Sequence, residues 1–481
     1  MDRGDLAAAA EAYERAGAAN AAALAIARSG AGAHREECAR RRSQLRLARL
    51  RRPLLEAEVE SALAPCVAAA RLHPGLAAAW GEQATILEMW AEEQVRSGVD
   101  PTGTVARSIA AAERDTRLDP ADGGAWWTLG SARVRLGRWQ LLRGADARPA
   151  LRHAVADLRR ATALEPRRAR YLNMLGGALQ TLARAEGERG VESDALLRES
   201  IVAYERAVQV WERSAAAWTN MGAAFVDLAS RDSAAGRDPR PALRRAIEAF
   251  DRSLAINGAH PTAHNNRGNA ELTLAEHQLA LGEDPRPALA EAALSYRAAL
   301  ARRPEYAIAH WNLSFAARLE AEWLLRSGRD PSAALDAAAA ALAEAARINP
   351  ADSDNAVETA RQQLVRARWE LGRGRSPATA LERAAREIGA GLALNGDNPA
   401  VHLAEALRLR WLAEWEGRQG GVASAPAERG LLAAERALEL RPDLVEALAV
   451  RVALLRLAGR APAAETALAS ARSVNPLVRV E

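Results

Sequence analysis

Small, aromatic and polar positions recur along this chain at one fixed interval. A representative stretch runs ADGGAWWTLGSARVRLGRWQLLR, then GADARP, then ALRHAVADLRRATALEP. The first segment predicts a helix of about 20 residues, roughly 30 Å long. The last predicts a second helix, and the six residues between them a tight loop. Gly98, Gly144, Gly190, Gly236, Gly282, Gly328, Gly374 and Gly420 each stand 46 residues after the one before. They fall where the first helix must stop, and only glycine takes up positive φ there without steric cost. The turn positions Pro74, Pro120, Pro166, Glu212, Gly258, Pro304, Pro350, Gly396 and Pro442 keep the same step of 46. An interval held without insertion means each unit is one stacked module.

The second helix of a unit is announced by Asp100-Pro101, Asp238-Pro239, Asp284-Pro285, Asp330-Pro331 or Ser376-Pro377. Asp or Ser caps orphan amides, and Pro presets φ at a helix start. Inside the first helix one position stays small: Ala84, Gly130, Gly176, Gly222, Gly268, Ser314, Ala360 and Ala406. Mid-helix glycine costs about 1 kcal/mol against alanine, so its recurrence implies a close approach of the paired helix. Residues 1–73 read as N-terminal helices, 74–442 as eight units of 46 residues, and 443–481 as a shorter unit, since Pro442 to Pro476 spans 34. Ala9, Tyr13 and Ala16 have second-helix spacing with no first helix before them. Either that segment caps the array or the chain begins partway through a longer polypeptide.

Four residues before the small position lies a column of Trp80, Trp126, Leu172, Trp218, His264, His310 and His402. Second helices carry small residues such as Ala154 and Ala246, aromatics at Tyr204, Phe250 and Tyr296, then small residues such as Ala207 and Ala299, and finally the turn residue. This order resembles the tetratricopeptide repeat. The resemblance implies an all-α fold: an α-solenoid, a right-handed superhelix of antiparallel helix pairs with a concave groove for a peptide or protein. The units depart from that repeat in length, and most of the surplus lengthens the first helix. Phrases such as GRDPRPALRRAIEAFDRSLAIN also resemble long repeats C-terminal to the kinase domain of some bacterial serine/threonine protein kinases.

Composition narrows the chemistry. All 65 Lys+Arg residues are arginine, which removes Schiff bases, P-loops and the ATP-anchoring lysine of kinases. A net charge of +4 over 481 residues is a weak field and argues against a nucleic-acid binder. Cys38 and Cys66 lack C-x-x-C spacing and read as isolated thiols of a reducing, cytoplasmic setting. No apolar run reaches the ~18 residues a membrane span needs. No catalytic motif appears, so no enzyme and no cofactor is expected.

On the expected groove, Trp127, Asn173, Asn265 and Trp311 occupy the first position after the tryptophan column, and Asn220, Asn266 and Asn312 the second. Asn269 and Arg318 follow on the same helices. Asparagine offers donors and an acceptor to an extended peptide backbone, but a ladder bridging neighbouring helices uses the same groups. The three histidines of the column suit core packing or the groove edge better than a metal, because stacked units stand ~10 Å apart. Trp323, Trp369 and Trp415, with His277 before them, read as packing between units. Residues 35–52, with eight arginines, read as a connector helix that could instead bind an anionic surface. The expected function is a non-catalytic interaction scaffold. The alternative is a regulatory region of a bacterial serine/threonine kinase, with the kinase or its substrates as partners.

Overall fold

The computed structural model describes residues 30–187, 193–478 and 480. Among them every regular element is a helix, and the chain forms two compact units, 1–213 and 214–481. In the first unit α1 (Ala31–Arg49) and α2 (Glu56–Leu72) lead into three hairpins: α3 (Ala77–Arg96) with α4 (Thr102–Leu118), α5 (Gly123–Leu142) with α6 (Arg148–Leu164), and α7 (Ala169–Gly187) with α8 (Asp194–Val210). The second unit contains α9 (Ala215–Ala234) with α10 (Arg240–Ile256), α11 (Pro261–Leu281) with α12 (Arg286–Arg302), and α13 (Ala307–Arg326) with α14 (Ser332–Ile348). It continues with α15 (Ser353–Gly372) and α16 (Ala378–Leu394), α17 (Pro399–Arg418) and α18 (Ser424–Leu440), then α19 (Val445–Leu457) and α20 (Ala461–Val474). Within each unit every hairpin packs on the next, and first helices also touch first helices, which makes each unit an α-solenoid. The segment holding Ala9, Tyr13 and Ala16, and Gly190, lie outside the described residues.

The loop glycines behave as the spacing requires. Seven of the eight sit at φ between 69° and 77°, and Gly459 does the same at 75° in the last hairpin. The helix starts differ by one residue from the expectation: proline occupies the N-cap and the helix opens after it. The preceding carboxylate accepts the amide two residues on, as in Asp284 with Arg286 N at 3.0 Å and Asp330 with Ser332 N at 2.9 Å. The last hairpin keeps the design in reduced form. Its first helix has 13 residues where α3 has 20, so the extra length of the ordinary unit resides mainly in the first helix.

The small column marks where the paired helix comes closest. A Cβ added at Gly176, Gly222 or Gly268 would lie 2.6–2.7 Å from the ring of Tyr204, Phe250 or Tyr296, and one at Gly130 would lie 2.6 Å from Leu158. The three aromatics and Leu158 are all buried where they meet the small position.

The tryptophan–histidine column has a polar purpose. The ring N–H of Trp80 reaches the Pro74 carbonyl at 3.1 Å, and that of Trp126 reaches Pro120 at 3.0 Å. His264, His310 and His402 pair through Nε2 with the carbonyls of Gly258, Pro304 and Gly396 at 3.1, 3.0 and 2.8 Å. Indole and imidazole are interchangeable here because each pairs an apolar ring with an N–H aimed at the turn carbonyl six residues back. Where the column holds Ala356, the preceding Asn355 caps the turn one residue earlier, its Nδ2 donating to the Asn349 carbonyl at 2.9 Å. These histidines are structural caps.

Candidate partner-binding surfaces

The asparagine positions divide into two groups. Asn265 is 2% exposed and Asn312 7%. Asn312 Nδ2 donates to Asn265 Oδ1 at 3.0 Å and to Asn269 Oδ1 at 2.9 Å, and Tyr296 OH donates to Asn269 Oδ1 at 3.0 Å. This is a bridge between α11, α12 and α13. Arg318 is also turned inward, at 1% exposure. It donates from Nε to both oxygens of Glu358 at 2.8 and 3.0 Å, pairs with Glu322, and lies over the Phe315 ring at 4.6 Å. Burial pushes the Glu358 carboxyl up against the pull of Arg318 and Arg361. For Glu322 those arginines outweigh burial and hold the group below its usual range.

Asn173, Asn220 and Asn266 are only half-buried. Trp127 is half-buried, stacks on Tyr171 at 5.8 Å between centroids, and carries Arg170 over its face at 4.8 Å. Its indole N–H meets no acceptor. Trp311 stacks on Phe315 at 5.3 Å and donates to the Asp354 carbonyl at 3.3 Å. In the second tryptophan column Trp323 and Trp415 pack against core clusters that join successive hairpins, and Trp369 carries Arg373, from the end of its own helix, over its ring at 4.9 Å. The column begins earlier than the sequence reading placed it, at Trp139, which is 7% exposed. Asp100, 39 residues before Trp139, is held below the usual carboxylate range by hydrogen bonds from Thr102 and then Trp139. His277 stands at the same offset from Asp238, with Nε2 3.8 Å from the carboxylate.

A cavity was not foreseen. Within the second unit, a chamber of about 1270 Å³ is lined by the C-terminal parts of α9, α11, α13 and α15, by α17, and by the final hairpin. The lengthened part of each first helix builds this wall. The chamber is closed across the unit by Asn475 Nδ2 donating to the Ser233 carbonyl at 3.1 Å, with Pro476 packed at Gly236. Its charged lining consists of Arg326, Arg361, Arg368, Arg410, Arg441, Arg456 and Arg472 against Glu276, Glu322, Asp443 and Glu446, a difference of 7 − 4 = +3. Arg361 grips both oxygens of Glu446 at 2.6 and 2.9 Å. Glu276 is open to the chamber yet surrounded by protein, and burial pushes it up to about 7. His277 is 4% exposed and its Nε2 has no hydrogen-bond partner.

At the N-terminal end the structure corrects one expectation. Cys38 and Cys66 are not free thiols: they form a disulfide joining α1 to α2, with Cα atoms 5.1 Å apart. Two lone cysteines carry no spacing signal, and only the fold of α1 against α2 brings them together. In the basic segment several arginines are paired with acids. Arg40 and Arg41 hold Glu37 at 2.6 Å, Arg42 reaches Glu82 at 3.0 Å, and Arg49 and Arg52 pair with Glu92 and Glu58. Nearby, Asp115 on α4 is buried, and burial followed by Asp122, Asp119 and Glu82 pushes it up to about 7. Among the described residues no group of three or more His, Cys, Asp or Glu is arranged to hold a metal, and no helix is long and apolar enough to cross a membrane.

No family model and no curated protein matches this chain. Solved structures do. The chain is similar to yeast Tom70 at 11% identity over 96% of this chain and 89% of that one, with a TM-score of 0.44. It is similar to YrrB, described as a TPR protein with an unusual peptide-binding site, at 14% identity over 51% and 95% of the two chains, TM-score 0.31. It is similar to MamA at 16% identity over 44% and 94%, TM-score 0.29.

Proposed function

We propose that this chain is a non-catalytic interaction scaffold that holds a peptide or protein partner along the inner side of its stacked first helices. The observation that supports the reading is that first helix stacks on first helix within each unit and leaves Trp127, Asn173, Asn220, Asn266 and Trp311 only partly buried along them. On this reading Asn265, Asn269, Asn312 and Arg318 are the frame that sets the spacing of the first helices. Trp127, Asn173, Asn220, Asn266 and Trp311, less deeply buried, are the contacts a partner meets. Similarity to a protein described by its peptide-binding site is consistent with this assignment and does not carry it.

Cross-linking of the purified chain in a lysate of its source, with mass spectrometry of captured peptides, tests it. Capture of one partner that is lost in the Asn220→Ala/Asn266→Ala double variant is the expected result. Capture unaffected by those changes, or no cross-linked partner, refutes the reading. The kinase-regulatory alternative rests on unit style alone, and an upstream open frame without kinase motifs removes it. The disulfide withdraws the support that free thiols lent to a cytoplasmic setting and favours an oxidising compartment.

A further inference from the structure

We infer that the face of the first unit where α5 lies beside α7 is a docking track for an extended acidic segment of a partner protein, read by Arg138, Arg170 and Arg184. The inference rests on the scaffold reading and names the chemistry of the partner.

The sequence of these two helices sets the charge. Along α5 stand Arg133, Arg135 and Arg138 with no acid, and along α7 Arg170 and Arg184 against Glu186 alone. Neighbouring helices neutralise only part of that excess. Arg133 pairs with Glu113 and Asp157, Arg135 pairs with Glu88, and Glu186 is taken by Arg152. Arg138, Arg170 and Arg184 are exposed, and among the described residues none of them has an acidic partner. Arg170 lies over the Trp127 and Tyr171 rings at 4.8 and 5.0 Å, which positions its guanidinium without neutralising it. Burial is the largest influence on Arg138 and holds it below its usual range, and the like charges of Arg135 and Arg184 push the same way. A carboxylate brought from outside relieves that repulsion.

The spacing selects the shape of the occupant. Arg138 reaches from α5 to α7 at Gly177, where an added Cβ would stand 3.5 Å from its Nη2 and 3.5 Å from the Tyr204 hydroxyl. Those are ordinary contacts, so packing does not demand glycine here as it does at Gly176. The bare backbone instead leaves the floor open between guanidinium and hydroxyl. Gly177 lies seven residues from Arg170 and seven from Arg184, two turns each way along one face of α7. At 1.5 Å per residue the three charges follow one another at roughly 10 Å. A polyproline-type extended segment repeats its side-chain direction every three residues, about 9 Å. Carboxylates at every third position of such a segment meet the three arginines in turn, and each guanidinium fork accepts one of them. No compact anion spans the track, and acids bunched at one end of a peptide reach a single arginine.

The experiment uses the full chain and a fluorescein-labelled peptide of four Glu-Pro-Pro triplets, read by anisotropy. Comparison probes are an isomer with its four glutamates bunched ahead of eight prolines, a peptide of four Arg-Pro-Pro triplets, and oligothymidylate. The glutamate triplet peptide binds, its bunched isomer binds at least threefold more weakly, and the arginine peptide does not bind. Arg138→Gln/Arg184→Gln, with helicity checked by circular dichroism, weakens the triplet peptide at least tenfold. Arg456→Gln/Arg472→Gln in the second unit leaves its affinity within twofold. Equal binding of the glutamate and arginine peptides, an unchanged affinity in the first variant, or an equal loss in the second overturns the site. Equal binding of the two isomers overturns the three-residue spacing. Oligothymidylate binding more tightly than the peptide overturns the occupant in favour of nucleic acid. A cross-linked partner that the triplet peptide fails to displace overturns the acidic class while leaving the scaffold reading intact.

Discussion

Replacing glycine with alanine in the middle of a helix ordinarily stabilises it by about 1 kcal/mol, because the unfolded chain loses freedom and the helix gains a good former. Two glycines of this protein should respond in opposite directions. At Gly389, on the exposed side of α16, a new Cβ meets nothing within 4 Å, so Gly389→Ala should realise most of that gain. At Gly268 the new Cβ would lie 2.6 Å from Tyr296 Cε1 and 2.9 Å from Cδ1 and Cζ. Tyr296 cannot swing aside cheaply: it is fully buried, and its hydroxyl donates to Asn269. Overpacking of this kind costs about 1–3 kcal/mol, and loss of the hydroxyl bond adds roughly 1 more. Against the propensity gain of about 1, Gly268→Ala should be net destabilising by roughly 1–3 kcal/mol. Urea unfolding read by circular dichroism, with hydrogen exchange of α11 and α12 amides to localise the change, measures both variants. Midpoints are compared within one chain length because stacked repeats need not unfold in one step. If Gly268→Ala unfolds at the same or higher urea than the parent, the small column is not a packing requirement and the argument fails.

Two further outcomes are expected. The disulfide closes a loop of sequence separation 28, for which chain entropy alone gives about 3–4 kcal/mol. Reductant should therefore lower the thermal midpoint and expose α1 and α2 to exchange, while the Cys38→Ser/Cys66→Ser variant should start at the lowered value and ignore reductant. A parent midpoint that does not move with reductant contradicts this. Asp115, pushed up to about 7 from an unfolded value of 3.8, binds a proton in the folded state that the unfolded chain has released. Its linkage thus favours the fold below about pH 4, declines between there and 7, and leaves an unpaired buried charge above 7. Asp115→Asn should raise the midpoint at pH 8 by the equivalent of about 1–2 kcal/mol after allowing for solvent screening, and flatten its slope between pH 6 and 8. An unchanged slope tells against it.

What the sequence discloses is what the backbone demands locally. A left-handed residue after a long helix needs glycine, so Gly98 through Gly420 reveal the hairpins without coordinates. The close approach at Gly130, Gly176, Gly222 and Gly268 is equally visible, since a costly residue repeated in register needs a reason. Less visible is anything set by the stagger of one unit on the next. Asn265 meets Asn312, and Arg326 and Arg418 donate to the carbonyls of Leu279 and Leu371; all three contacts span 47 residues, one beyond the period. A one-residue offset decides whether an asparagine faces a neighbour or a groove, and composition is silent on it. The histidine caps could have been foreseen, because Trp and His share a ring N–H and the turn residue is always six positions back. The chamber could not, since its closure joins Ser233 to Asn475 across 242 residues.

The lining of that hollow has a chemical consequence of its own. Guanidinium groups keep their proton throughout the range in which proteins stay folded, and they offer no nucleophilic amine. Acetyl transfer, ubiquitin attachment and amine-directed reagents, which silence lysine-based surfaces, have no purchase on such a wall. Whatever adjusts its attraction must work through the acids beside it, with Glu276 the group most easily neutralised near physiological pH.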